Sequence, residues 1–259
     1  MDTYNELPPG EAPRDWDAET YDRISLPMAR WGANVLGRLT LAGGETVLDA
    51  GCGSGRVTER LAERLPDGHV IALDGSPAML AAARERLACF GSRIEYVEAD
   101  LARRLPLGDG GVDAIFSTAT FHWIGDHPAL FRHLARVIRP GGQLVAQCGG
   151  RGNIVSVLRA IAAAGERWPG PWTMAGPEET RQRLEAAGFA DVEAWLHDEP
   201  TQLEPGAPLR EFLRTVVLGS HLARLPEERR EAFVDAVAAN LPDAVIDYVR
   251  LNIVATRRD

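Results

Sequence analysis

A glycine-rich turn directly follows a short apolar segment near residue 50, and this feature constrains the fold of the chain more than any other. Val47 to Ala50 predicts a buried strand, and the turn that comes next reads Gly51-Cys-Gly-Ser-Gly55. Glycines let the backbone turn sharply and approach a ligand closely, because no Cβ stands in the way. The spacing is GxGxG and differs from the GxGxxG of dinucleotide-binding proteins, which favours a nucleoside ligand without a pyrophosphate.

Short β-branched segments and amphipathic segments alternate around this turn. The predicted strands cover 46–50, 69–73, 94–97, 112–118 and 143–147, and the predicted helices between them cover 57–65, 77–87 and 128–137. Ser76 ahead of Pro77 and Asp126 ahead of Pro128 are typical helix starts, because a polar cap precedes a proline that the first turn tolerates. We expect Gly141-Gly142 to end one helix and to open the next strand. The alternation predicts an α/β fold with a mainly parallel sheet.

The two ends of the chain differ from this central part. Residues 1–14 combine prolines and acidic residues, which predicts a flexible tail, and we expect 15–259 to form one domain whose first half, 15–150, binds the ligand. Apolar residues at three- and four-residue steps predict a leading helix over 16–41, with Pro27 as the position of a break. Further helices are predicted over 151–167, 177–187, 208–219 and 226–240, and strands over 190–197 and 245–256. The helices within 151–245 are expected to form a lid over the ligand edge of the sheet.

Composition limits the partners of the chain. The formal charge of -9 and the isoelectric point near 5.2 argue against binding to nucleic acid, which needs clustered Lys and Arg. The sequence shows neither a secretory leader nor an apolar run of membrane-spanning length, so we expect a cytoplasmic protein without a membrane partner. The cysteines Cys52, Cys89 and Cys148 are widely spaced and predict neither a disulfide nor a metal site. A small molecule is the expected partner.

Aspartates follow the predicted strands at the edge where parallel sheets bind their ligands. Asp74 ends the second strand, where a carboxylate can accept hydrogen bonds from both hydroxyls of a ribose. Asp100 follows the third strand, a position suited to the exocyclic amine of an adenine, with Met79 or Leu101 against the ring. Asp49 precedes the glycines and can order the loop or receive the amino group of a methionine moiety. Asp74 and Asp100 could instead cap a helix or a turn.

The order of these elements resembles the class I S-adenosylmethionine-dependent methyltransferases over nearly the whole chain, and within that superfamily it is most similar to the trans-aconitate methyltransferases. The segments that carry the resemblance are 16–21, 47–55, 73–79, 97–100, 119–123, 126–127, 142–147 and 250–257. The resemblance implies a Rossmann-like sheet of seven strands, with an antiparallel last strand supplied by 245–257. It also implies S-adenosylmethionine as cofactor and O-methylation of a small-molecule carboxylate.

The cofactor site and its departures from the family pattern follow from this resemblance. The residues expected to contact the cofactor are Tyr21, Asp49, Gly51, Cys52, Gly53, Gly55, Asp74, Gly75, Met79, Ala99, Asp100, Leu101 and Ser117. Where the family tends to carry Asn or Gln near the fourth strand, this chain has Ser117, Thr118 and His122. The fifth strand is followed by an unusual turn, Gly149-Gly-Arg-Gly152. These departures indicate a different acceptor end of the pocket.

The acceptor end depends on a few candidate side chains. A carboxylate is already ionised at neutral pH and needs no general base, but it needs a cation, for which Arg151 and Arg250 are candidates. His122 could deprotonate a phenol, an amine or an acidic carbon, or could simply pair with a nearby carbonyl. The candidates for the pocket walls are Tyr21, Trp123, Trp172 and Tyr248. Aromatic residues of this kind belong to a hydrophobic core more often than to a site.

Several functions remain open on the sequence alone. The first is a small-molecule methyltransferase that acts on a carboxylate or on an oxygen, nitrogen or carbon of a natural product. The second is a nicotinamide-dependent oxidoreductase on a similar sheet, against which the glycine spacing and Asp100 both argue. The third is a catalytically silent nucleotide-binding protein. No metal is required for methyl transfer from a sulfonium.

Overall fold

The computed structural model describes residues 14–24, 26–241 and 243–259. The tail predicted over 1–14 lies outside the described residues except for Arg14, and the side chain of Tyr21 lies outside them as well. The strands of the described part are β1 Thr46–Ala50, β2 His69–Asp74, β3 Ile94–Glu98, β4 Val112–Thr118, β5 Ile138–Gly149, β6 Phe189–Asp198, β7 Thr201–Gln202, β8 Val245–Ile246 and β9 Val249–Arg257.

The main sheet has seven strands in the order β3-β2-β1-β4-β5-β9-β6. Strand β1 pairs in parallel with both β2 and β4, so the chain order reverses beside β1. Strand β9 is antiparallel to both β5 and β6. The predicted mainly parallel α/β sheet with an antiparallel last strand is therefore confirmed. Such sheets bind ligands at their carboxyl edge next to the point of reversal, which lies at the ends of β1 and β4.

Helices connect and cover these strands. They are α1 Ala18–Ile24, α2 Leu26–Leu36, α3 Arg56–Glu63, α4 Pro77–Arg86, α5 His127–Val137, α6 Val155–Ala163, α7 Pro177–Ala186, α8 Ala207–Phe212, α9 Gly219–Arg224 and α10 Glu227–Ala239. Two starts predicted from the sequence are confirmed. The Met79 amide donates to Ser76 Oγ at 3.2 Å, and the Ala129 amide donates to Asp126 Oδ1 at 2.8 Å. None of the helices in the described ranges has the length and apolar character that a membrane span requires.

Apolar side chains bury both faces of the sheet. On one face Leu48 and Ile115 pack with Leu130 of α5 and Leu184 of α7. On the other face Val47, Phe116 and Val145 pack with α2, α3 and α4. A third cluster joins α6, α8 and α10 to Trp31 and Tyr248. Continuous burial of strands on both faces is what a parallel sheet covered by helices requires.

Several expectations about element boundaries are wrong in detail. The leading segment is two helices, α1 and α2, on either side of residue 25, which is outside the described residues, and Pro27 lies in the first turn of α2. Helix α5 ends at Val137 and β5 begins at once, so Gly141 and Gly142 lie inside the strand. The β4–β5 pairing is irregular there, and a Cβ on Gly142 would come within 2.7 Å of the Asp113 carbonyl oxygen. A bulge therefore requires this glycine.

The predicted closing strand is divided, which is another difference. Val245–Ile246 pairs with Thr201–Gln202 in a separate two-stranded sheet, and β9 begins at Val249. Asp247 lies between the two pieces and accepts a hydrogen bond from the Ser156 amide at 2.9 Å. This contact satisfies an amide in the first turn of α6. The predicted helix over 208–219 is also interrupted, by a π-helical segment over Leu213–Val217.

Candidate functional site

The glycine loop, residues 51–55, joins β1 to α3 at the carboxyl edge of the sheet. Gly51, Gly53 and Gly55 have φ angles of +88°, +56° and +81°, a region that side chains disfavour. A Cβ on Gly51 would lie 2.2 Å from Thr120 Oγ1, whereas a Cβ on Gly53 would meet nothing within 4 Å. Gly51 is thus required by packing within the protein. Gly53 presents its backbone to open space, as a ligand cradle requires.

Asp74 links the end of β2 to this loop. Its Oδ2 accepts a hydrogen bond from the Gly53 amide at 2.8 Å, and its Oδ1 accepts one from the Ser76 amide at 2.9 Å. Burial raises the pKa of the Asp74 carboxyl. The N-cap of α4 is Ser76 and not Asp74, so capping of that helix does not account for the acidic residue. Each carboxylate oxygen keeps a lone pair for a hydroxyl donor.

Asp49 is buried below the glycine loop. Thr58 Oγ1, in the first turn of α3, donates to Asp49 Oδ2 at 2.7 Å. Burial raises the pKa of the Asp49 carboxyl to about 7. The structure therefore shows Asp49 ordering the junction between β1 and α3, which is one of its two predicted roles. Binding of an ammonium group stays a prediction, and a cation there would lower this pKa again.

Asp100 lies two residues beyond β3, which ends at Glu98. Its Oδ1 accepts a hydrogen bond from the Ala102 amide at 2.8 Å, and Arg103 Nε lies 3.4 Å from Oδ2. The turn-capping interpretation of Asp100 is thus present in the structure. The Ala99 amide donates to the Asp74 carbonyl at 3.1 Å, which keeps this turn beside the end of β2. A contact between Asp100 and an adenine stays a prediction.

The other predicted cofactor residues lie around the same edge. The amides of Gly51 and Cys52 both donate to the Leu73 carbonyl, at 2.8 and 2.9 Å. Ser117 is buried and donates to the Ala50 carbonyl at 2.6 Å, so it ties β4 to β1. The side chains of Met79 and Leu101 are buried as well. Gly55 packs against α4 and its C-terminal cap, because a Cβ there would lie 3.3 Å from Ala83 Cα.

Two acidic residues of the leading segment join this edge without having been predicted from the sequence. The Asp22 carboxylate accepts a hydrogen bond from Ser54 Oγ of the glycine loop and forms an ion pair with Arg86. Asp15 Oδ1 accepts a hydrogen bond from Ser76 Oγ at 2.6 Å. Nothing in the sequence separates these residues from other acidic residues nearby. These contacts hold the leading segment against the glycine loop and the start of α4.

An aromatic cavity adjoins this edge at the ends of β4 and β5. It encloses about 470 Å³ of empty space, part of it open to solvent. Its walls come from distant parts of the chain and consist of Trp16, Ala119, His122, Trp123, Asn153, Ile154, Trp172, Met174, Val216, Val217, Tyr248 and Arg250. The cavity thus brings together all the predicted acceptor residues of the described side chains except Arg151. Thr120, which follows Ala119, packs against Gly51 and connects the cavity to the glycine loop.

His122 is buried in the wall of this cavity. Its Nδ1 has no hydrogen-bond partner among the described residues, so the structure gives no support for pairing of that nitrogen with a carbonyl. Burial holds the pKa of His122 well below its usual range, and Arg250 lowers it further. His127 shows the contrast, because its Nε2 lies 3.0 Å from the Phe121 carbonyl oxygen. His122 is consequently a neutral imidazole at neutral pH.

The two candidate cations are placed very differently. Arg250 is 3% exposed, and its guanidinium carbon lies 4.8 Å from the Trp31 ring centroid and 6.0 Å from that of Tyr248. The Arg151 side chain is 67% exposed and is paired with Glu179 at 3.1 Å. The structure does not bring Arg151 into the cavity, because its guanidinium lies at the start of α7 instead.

The glycine-rich turn after β5 has a packing reason. A Cβ on Gly149 would lie 2.9 Å from Asn153 Nδ2, 3.0 Å from Met174 Sδ and 3.3 Å from His122 Cγ. Asn153 and Met174 line the cavity and were not predicted from the sequence. Two other wall residues, Ala119 and Ile154, have left-handed φ angles of 56° and 52°. Strained backbone of this kind is concentrated at functional sites.

Comparisons with known proteins agree with this geometry. Residues 47–142 match the family model described as a methyltransferase domain. The chain is 32% identical to trans-aconitate 2-methyltransferase of Methylobacterium radiotolerans, over 86% of this chain and 87% of that protein. It is 29% identical to trans-aconitate 2-methyltransferase of Azoarcus sp., over 93% of this chain and 99% of that protein.

A solved structure shares the fold. Phosphoethanolamine N-methyltransferase 2 of Haemonchus contortus, in complex with S-adenosyl-L-methionine, aligns with a TM-score of 0.63 and 20% identity. The alignment covers 93% of this chain and 56% of that one. At this identity the likeness concerns the architecture alone.

Proposed function

This chain belongs to the methyltransferase family that includes the trans-aconitate 2-methyltransferases, and we propose that it methylates a carboxylate of a small-molecule acceptor. It is an S-adenosylmethionine-dependent enzyme. This cofactor, when bound, supplies a methyl group already activated on a sulfonium. The task of the protein is to hold the acceptor oxygen in line with that group and to exclude water.

The residues at the glycine loop fit this cofactor. Gly53 leaves open space where a Cβ would stand, and the half-buried Asp74 carboxylate beside it has lone pairs for ribose hydroxyls. Asp49 is a carboxyl whose pKa burial has raised, so an ammonium group would find a partner there. These are the residues that would hold the ribose and the methionine part.

The observation that carries the proposal is the buried Arg250 in the wall of the aromatic cavity. A guanidinium matches a carboxylate geometrically and offers two parallel hydrogen bonds. The cavity lies at the carboxyl ends of β4 and β5, next to the glycine loop. A carboxylate held by Arg250 would therefore be close to the cofactor end of the site.

The state of His122 also favours an acceptor that is already ionised. Burial and the charge of Arg250 keep the pKa of His122 far below neutrality, which makes its imidazole a weak base. A weak base gives little driving force for removing a proton from a phenol or an amine. A carboxylate requires no such step, because it is ionised at neutral pH.

A substrate screen tests the proposal. The full chain is incubated with S-adenosylmethionine and with carboxylic acids, phenols or amines, and formation of the demethylated cofactor is followed. We expect turnover with carboxylic acids, and alkaline hydrolysis of the product should release methanol because an ester is formed. Turnover with phenols or amines alone would contradict the proposal and would favour the natural-product alternative.

A further inference from the structure

The walls of the aromatic cavity consist mostly of aromatic and aliphatic side chains. Three of its walls are the indole rings of Trp16, Trp123 and Trp172. The rings of Trp16 and Trp123 meet edge to face with centroids 5.3 Å apart, and those of Trp123 and Trp172 are 5.8 Å apart. Other parts of the wall include the aliphatic side chains of Ile154 and Val217. Walls of this kind bind flat or apolar groups by burial and ring contact.

The described part of the cavity wall carries one charged side chain. Among the described residues that form its walls, Arg250 is the only Lys, Arg, Asp or Glu. Arg14 lies nearby, but its guanidinium is over the Trp16 ring at 4.0 Å and donates to the Thr215 carbonyl at 3.0 Å. Since a guanidinium has five N–H donors, Arg250 can bind one carboxylate while it keeps its contacts within the protein.

A tricarboxylate such as trans-aconitate fits this cavity poorly. Its carboxyl groups are ionised at neutral pH, and Arg250 can neutralise one of them. The described walls also carry Asn153 and Tyr248 as hydrogen-bonding side chains, but they hold no second Lys or Arg. An ionised carboxylate without a cation as partner is disfavoured beside the indole and aliphatic side chains that make up most of the wall. His122 adds no positive charge, because it is neutral.

We infer that the preferred acceptor is an amphipathic monocarboxylate, with its carboxylate at Arg250 and an aromatic or aliphatic body between Trp123, Trp172 and Met174. This inference rests on the proposed methylation of carboxylates and makes it more specific. It assigns Trp172 and Met174 to the recognition of the apolar body. The chain would then share its fold and cofactor with the trans-aconitate enzymes while it differs from them in acceptor.

A comparison of monocarboxylates with polycarboxylates as substrates of the full chain tests the inference. Values of kcat/KM are measured with trans-cinnamate, indole-3-acetate and decanoate as amphipathic monocarboxylates, and with trans-aconitate and citrate as polycarboxylates. Calorimetric titration of the same acids into the protein saturated with S-adenosylhomocysteine gives a readout that does not depend on turnover. We expect the best monocarboxylate to exceed trans-aconitate by about tenfold or more in both measurements, because unpaired charges are costly in an apolar cavity.

Adding a second cation provides the matched test. Met174→Lys places a positive charge at the cavity wall, and Met174→Gln changes the side chain without adding charge. We expect the lysine variant to raise kcat/KM for trans-aconitate relative to the monocarboxylates by about tenfold, and the glutamine variant to leave this ratio near that of the wild type. Equal ratios in the two variants would contradict the role assigned to charge.

The outcomes separate the inference from the proposed function. If trans-aconitate is the better substrate and ligand of the wild type, the inference is wrong and carboxylate methylation stands. If no carboxylic acid is methylated although phenols or amines are, the proposed function is wrong and the inference fails with it.

Discussion

The proposed cofactor end and the proposed acceptor end of the site are built in different ways. The cofactor end is the glycine loop with the strand-end aspartates, and it works largely through backbone amides and positive φ angles. The acceptor end is the aromatic cavity, whose side chains come from segments as distant as Trp16 and Arg250. The first kind of site depends on the absence of side chains, and the second depends on their identity. Substitutions should therefore affect the two ends in separable ways.

The largest expected effect concerns two glycines of one loop. Gly51→Val would place atoms within about 2.2 Å of Thr120 Oγ1, whereas Gly53→Val would point into open space. In both variants a valine must adopt a positive φ, but only at position 51 does it also clash with a neighbouring side chain. We therefore expect the free energy of unfolding to fall by about 4 kcal/mol in Gly51→Val and by about 2 kcal/mol in Gly53→Val. Urea unfolding of the cofactor-free protein measures both values.

The affinity for S-adenosylhomocysteine provides a second comparison of the Gly51 and Gly53 variants. Gly53→Val should keep a folded protein that no longer binds S-adenosylhomocysteine measurably, because the added side chain occupies the cradle. Equal stability losses in the two variants, or normal binding by Gly53→Val, would contradict the distinction drawn between packing glycines and cradle glycines.

A pH effect of intermediate size is expected from Asp49 at the cofactor end, and it is opposite in sign to that of the buried His122, whose lowered pKa favours the folded state as the pH rises. Burial raises the pKa of Asp49 to about 7, so the folded state holds a proton that the unfolded state has released. The stabilisation from this group is complete below the unfolded pKa near 3.8 and is lost as the pH rises to about 7. Between pH 5 and pH 8 the cofactor-free protein should lose roughly 2 kcal/mol through this group.

Asp49→Asn is the matched variant for this effect. It keeps a hydrogen-bonding partner for Thr58 but cannot ionise, so its stability should change less between the two pH values. Urea unfolding at pH 5 and pH 8 gives the comparison. The same pH dependence in both proteins would show that another group is responsible.

The smallest expected effect concerns the leading segment, which contacts both ends. Asp22→Asn weakens the attachment of α1 to Ser54 and Arg86, so we expect about a fivefold weaker binding of S-adenosylhomocysteine. The exposed Glu19 on the same helix provides the control, and Glu19→Gln should bind as the wild type does. Stability should change by less than about 1 kcal/mol in either variant, since these are partly exposed charges. If the two variants bind S-adenosylhomocysteine with the same affinity, the contacts of Asp22 with Ser54 and Arg86 do not contribute to cofactor binding.

The sequence predicted the structure around the glycine loop better than the structure of the aromatic cavity, for physical reasons. The sheet, the glycine loop and Asp74 are visible because local rules govern them, namely strand burial, backbone freedom and strand-end position. The bulge at Gly142 and the break after Ile246 were missed, since both depend on contacts with Asp113 and Ser156 that lie far away along the chain.

For the acceptor end, the sequence indicated candidate residues but not which of them line a common cavity. Trp123, Trp172 and Arg250 were named as candidates, but so was Arg151, whose side chain is exposed and paired with Glu179. Whether an arginine is buried in a cavity depends on tertiary packing, which no local pattern contains. Asn153 and Met174 carry no sequence signal of their own, and both pack closely against Gly149 in the folded chain.

Calorimetry with S-adenosylhomocysteine on Asp74→Ala and Arg250→Met tests the separation of the two ends most directly. We expect Asp74→Ala to weaken binding by at least about tenfold, because two amides of the loop region lose their acceptor along with the ribose. Arg250→Met should bind within about twofold of the wild type while it loses carboxylate methylation, because its charge acts on the acceptor. Unchanged affinity in Asp74→Ala, or an equally large loss in Arg250→Met, would contradict this account.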